Sequence, residues 1–157
     1  MDLDVEWQRL SASLQSELAL LSELVRVLTQ ERIDLGINDL GRLREAANQK
    51  EMLVPQLSKA QSKRKALMAG RPGLYSLQRQ APEPWAGEIK ALNRRCADLA
   101  EQVFLLNREN GQLLEQGRQV MTGRFEALRF RSGRLDIYER GAGSLSIGGV
   151  SVIERSF

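Results

Sequence analysis

The sequence contains no histidine, a single cysteine, four prolines and few aromatic residues, 5% in all. Without histidine the chain lacks the commonest general acid–base, the commonest metal ligand and the side chain that titrates unaided near neutrality. With Cys96 alone, neither an intramolecular disulfide nor a zinc site built on cysteines can form. An unpaired cysteine also fits a reducing compartment. Scarce aromatics leave leucine and alanine to build the core. No run approaches the ~20 apolar residues of a membrane span. The opening Met1-Asp2-Leu3-Asp4-Val5-Glu6 is acidic where a secretory signal would be basic. These absences predict a cytoplasmic protein with no stable membrane insertion.

What is present points to one helical domain. The chain has 157 residues, 42% hydrophobic and 27% charged, which is too apolar for a disordered chain. The formal charge of +3 is too small and too spread for a nucleic-acid binder, so no nucleic-acid partner is expected.

Helical periodicity dominates as far as residue 130. Leu3, Trp7, Leu10, Leu14, Leu21, Leu24 and Leu28 step by four and three, with Glu17 as one interruption and Leu18 and Val25 beside the seam. Gly36 stands where a helix-ending glycine is expected. Asn38 or Asp39 can cap a second helix. Its apolar face runs through Leu40, Leu43, Ala46, Ala47, Leu53, Val54, Leu57 and Leu67, and Pro55 predicts a kink near residues 51–55. Gly70, Pro72, Gly73, Pro82 and Pro84 mark a long connection, with room for a short helical turn at 74–80. Then Trp85, Ile89, Leu92, Cys96, Leu99, Val103, Leu106, Asn110, Leu113, Gly117 and Val120 keep strict heptad spacing. The fold class that follows is all-α. We expect an elongated antiparallel three-helix bundle or coiled coil, with helices at about 3–35, 38–69 and 84–130, the third the longest. Residues 131–157 are rich in glycine and serine and read as a flexible or weakly structured tail. The apolar pairs Leu135/Ile137, Leu145/Ile147 and Val150/Val152 leave short strands open.

The chemical readings are weak. Cys96 lies on the heptad seam and reads as a buried small hydrophobe. The carboxylates read as solvated surface groups. Gly141-Ala142-Gly143 and Gly148-Gly149 lack the strand, helix and lysine of a phosphate loop. Lys59, Lys63, Arg64 and Lys65 read as a solvated helix end that complements the helix dipole. We expect no catalytic residue, no cofactor and no metal. Asn110 on the seam is a register-setting residue or part of a binding face. Gly111 and Gly117 cost helix stability and call for a close-packed neighbour, a bend or a partner groove.

The stretch Leu106-Asn107-Arg108-Glu109-Asn110-Gly111-Gln112-Leu113-Leu114-Glu115 resembles the L-N-x-x-N-G-x-L-L-E segment of FlgN-type flagellar export chaperones. The tail Leu135-Asp136-Ile137-Tyr138, followed by Gly141, Gly143 and Ser144, is similar to that family's C-terminus. The leucine-rich N-terminal half fits as well, although Pro55 departs from the family's regular second helix. The resemblance implies a cytosolic type III export chaperone. Its clients would be the C-terminal helical segments of the hook–filament junction (hook-associated) proteins, kept from premature association and delivered to the export apparatus. On this reading Leu106, Asn107, Asn110, Leu113, Leu114 and Met121 bind the client, and Tyr138 docks on the flagellar export gate. The alternative is a structural coiled-coil adaptor that works through self-association.

Overall fold

In a computed structural model, residues 3–70 and 73–132 are described. The chain forms α1 (Leu3–Ile37), α2 (Leu40–Leu67), the short α3 (Leu74–Gln80) and α4 (Trp85–Ser132). No strand occurs among the described residues. The glycine-rich tail, its apolar pairs and Tyr138 lie outside them.

The α1–α2 elbow is built differently from the expected glycine stop. α1 continues through Gly36 to Ile37, and the left-handed residue is Asn38, at φ 56°. The Asn38 amide donates to the Leu35 carbonyl at 3.3 Å and the Asp39 amide to the Asp34 carbonyl at 3.1 Å. These are the two bonds of a Schellman motif, with asparagine replacing the usual glycine. One residue later Asp39 caps α2, its carboxylate accepting from the Arg42 amide at 3.1 Å. The chain therefore reverses in two residues, with the Asp34 and Leu35 carbonyls and the Arg42 amide satisfied. Farther along, α2 spans Pro55. Glu51 and Pro55 are both exposed, so water can satisfy the carbonyl that the proline leaves without a donor.

Side-chain pairs fix the directions. Glu17 meets Arg64 and Glu31 meets Lys50, so α2 runs antiparallel to α1. Ser11 meets Glu88, Cys96 meets Leu14, and Asn110 meets Leu28, so α4 runs parallel to α1. α1 is the central element. α2 and α4 each pack along it, and among the described residues their backbones nowhere come within 8 Å of each other, Cα to Cα.

Heptad spacing organises the interior into layers. On α1 one heptad row reads Leu10, Glu17, Leu24, Glu31; on α2 the facing row reads Leu43, Lys50, Leu57, Arg64. The antiparallel register stacks Glu17 on Arg64, Leu24 level with Leu57, and Glu31 on Lys50. α4 adds Cys96, Val103 and Asn110 at the same three levels. The ionic layers are tight. Arg64 Nε donates to Glu17 at 2.7 Å, and both side chains are buried. Glu31 accepts from Lys50 Nζ at 2.6 Å and from Asn110 Nδ2 at 2.9 Å.

Three expectations are corrected here. Glu17 does not interrupt the core but is part of it, and Glu31 and Asp34 are also buried rather than solvated. Arg64 belongs to the interior and not to a solvated helix end. The heptad seam of α4 is buried or half-buried as far as Asn110, whereas Leu113 and Val120 are exposed.

Removing one partner of a buried ion pair strands the other charge, at a cost of about 3–5 kcal/mol. Glu17→Leu and Arg64→Leu should each lower the unfolding free energy in urea by that order. The double replacement should recover most of the loss. Equal and additive losses would show that the pair is not coupled.

Candidate partner-binding site

The site begins where α1 ends. In the layer above Glu31 and Asn110, α1 has turned at Asn38 and α4 contributes Gly117. From there α4 continues to Ser132, so its last turns stand about 20 Å beyond α1 at ~1.5 Å per residue. The apolar heptad spacing carries on to Val120, beyond the last turn of α1. Leu113, Val120 and Met121 are exposed and Leu114 is half-buried.

The residues expected to bind a partner separate into two groups. Leu106 packs on the core, half-buried. Asn110 is deep in the interior at 1% exposure, where its amide donates to the Leu28 carbonyl and to Glu31, both at 2.9 Å. Its Oδ1 has no hydrogen-bond partner among the described residues. Asn107, Leu113 and Met121 are open to solvent, with Leu114 beside them. The motif thus divides in two: Asn110 fastens α4 to α1, and the residues after it form an apolar strip with a free face. Val120 belongs to that strip and was not among the expected contacts. Its signal was in the sequence, because it holds the next seam position after Gly117.

Among the described residues nothing packs against Gly111, Gly117 or Gly123 of α4. A Cβ added at Gly111, Gly117 or Gly123 would meet nothing within 4 Å. Close approach of another described helix is therefore not their reason, which leaves a bend or a partner groove.

Chemically the strip is inert. Cys96 lies well away from it, buried against Leu14 at the Glu17 level. Burial first, and the Glu17 carboxylate second, push its thiol up to about 11, with Arg64 and Arg95 opposing. It stays protonated at neutral pH, and only the thiolate is an effective nucleophile. Among the described residues no three His, Cys, Asp or Glu side chains are placed to hold a metal ion. No helix of the described residues is long and apolar enough to cross a membrane.

A protein-family model described as FlgN protein matches residues 1–144. No curated protein and no solved structure matches the chain.

Two outcomes follow. Gly117→Ala should raise the unfolding free energy by about 1 kcal/mol, the helix-propensity gain at an unobstructed site. A fall in melting temperature would mean that the glycine is needed within the bundle itself. Cys96 should resist an aromatic disulfide reagent in the native protein at pH 8 and react fully in denaturant. Rapid native labelling would contradict its burial.

Proposed function

The chain belongs to the FlgN family of flagellar export chaperones, and we propose that it is a cytoplasmic, non-enzymatic chaperone that holds an amphipathic helix on the free end of α4. Its clients on this reading are the C-terminal helical segments of the hook–filament junction proteins. Holding them keeps them from associating before export.

One observation carries the reading. Beyond Asn110 the α4 seam leaves Leu113 exposed beside the last turn of α1 and Val120 and Met121 exposed past it, with no helix among the described residues to cover them. An apolar strip at helical spacing suits an amphipathic helix that offers the complementary seam. Leu106, Asn107 and Leu114 extend the contact, and Asn110 holds the platform in place. Gly117 lets a client backbone approach closely. Methionine at position 121 suits a surface that repacks around more than one client. Delivery to the export gate is assigned to the tail through Tyr138, and release there is compatible with only moderate affinity.

The same exposed strip supports a second reading, in which two copies cover each other's α4 and the protein is a coiled-coil adaptor. Sedimentation across a concentration series separates the two. A chain that stays monomeric rejects the adaptor.

Calorimetric titration with the C-terminal segment of the same organism's hook–filament junction protein tests the chaperone reading. Saturable binding is expected to the full chain. Leu113→Glu with Met121→Glu should abolish it, because each buries a charge in the interface. A chain ending at Arg131 should still bind if the tail serves delivery rather than grip. No binding to the full chain would reject the reading.

A further inference from the structure

α4 changes character at Asn110. Below it the helix is tied to α1 by buried apolar layers, and Asn110 itself bonds to Leu28 and Glu31. Above it these ties end. Of residues 111–124 only Leu114 is half-buried and the rest are exposed. The side-chain hydrogen bonds of this stretch are local among the described residues, running from Arg118 and Gln119 to Glu115. The helix here is held by its own backbone bonds, which face water.

That backbone is weakened at three places. Gly111, Gly117 and Gly123 follow one another at six-residue intervals, and each lowers the local helix equilibrium about fivefold relative to alanine. A partner groove would gather its small residues on one face. Six residues turn a helix by about 240°, so these three point in three directions and a groove accounts for Gly117 at most. A single bend needs only one of them. What all three do is loosen the helix. The bundle supplies the nucleus, so α4 extends or frays from Asn110 upward without a new nucleation step. A stretch with few buried contacts and solvated backbone bonds opens at a lower free energy than the whole fold.

We propose that α4 above Asn110 unwinds on its own while the bundle stays folded, and that this unwinding is the step that lets a bound client helix go. The second half rests on the chaperone reading. Leu113, Val120 and Met121 lie side by side only while the chain is helical. Unwinding therefore abolishes the strip instead of prising the client from it. The Glu31 layer stops the opening from running down into the bundle, because parting Asn110 from Glu31 takes a hydrogen bond from a buried charge. Release is thus confined to the end of one helix.

The test uses the full chain, as wild type, Gly111→Ala and Gln112→Gly. Both positions are exposed, and Gly111 is turned away from Leu113 and Val120, so its replacement adds nothing to their contact with a client. Native-state hydrogen exchange at rising urea reads the unwinding. Amides of 112–124 should exchange through an opening that barely depends on urea, while those of 89–103 follow global unfolding. Gly111→Ala should slow the first group about fivefold and Gln112→Gly should speed it about threefold. Stopped-flow dissociation of the junction-protein C-terminal segment reads the release, and its rate should move by the same factors in the same directions. If 112–124 exchange only together with 89–103, the inference falls. If they open locally but all three proteins release the segment at one rate, the client leaves an intact strip; the release step is overturned and the chaperone reading stands. If the wild type does not bind the segment, the chaperone reading fails and takes the release step with it, and exchange alone decides the unwinding.

Discussion

The structure depends on two buried carboxylates of α1. Glu17 and Glu31 stand two heptads apart on the row that faces α2, and each finds its cation, Arg64 or Lys50, at the matching level. An all-leucine seam would tolerate a slip of one heptad. Here such a slip sets Glu17 against Leu57 and Leu24 against a cation, leaving charges without partners in the interior. The penalty for a buried uncompensated charge is several kcal/mol, more than any leucine pair returns. The ionic layers add little net stability over well-packed apolar residues, but they reject the wrong registers. α4 reads the same carboxylates from its own side. Asn110 donates to Glu31, and the Cys96 thiol, kept neutral first by burial and then by the Glu17 carboxylate, donates to the Leu14 carbonyl. Glu17 and Glu31 thereby align α2, and Glu31 aligns α4 as well.

Heptad spacing made the helices legible in sequence, since leucine at sustained four–three intervals falls on one face only in a helix. The seam of α4 was readable from Trp85 to Asn110, where the bundle uses it. The charged layers were less so. A single sequence shows Glu17 as an exception to a leucine row and Arg64 as one cation in a basic run. The signal becomes visible only when the two rows are set side by side: leucine alternates with glutamate on one and with a cation on the other. That comparison needs the antiparallel register, which periodicity alone does not supply. The helix end was misread for a local reason. Gly36 is a natural terminator, but Asn38 can also adopt the left-handed conformation and stands next to the capping Asp39.

The candidate site was half legible. The sequence singled out Asn107, Leu113, Leu114 and Met121; the last three lie on or beside the exposed strip, and Asn107 is open to solvent about one turn before it. It grouped Asn110 with them because the same stretch of α4 contains all five, yet that residue faces inward to Leu28 and Glu31. Spacing along one helix cannot say where the partner helix stops.

The division along α4 has a mechanical consequence. Below Asn110 the helix is fixed by apolar layers and by the Glu31 contacts, so it cannot shift along α1 without breaking a buried hydrogen-bonded charge. Above that level the same row changes to Gly117 and then Arg124, and the strip is open. A partner can therefore bind without parting the bundle, and the free and occupied proteins need not differ in their core. Binding energy is not consumed in opening a closed structure, so a short strip suffices for a useful grip. The exposed leucine, valine and methionine are the cost, because an uncovered apolar strip is also a surface for self-association. Ending α1 early, and fastening α4 firmly just below that end, confines this exposure to one pole of the molecule.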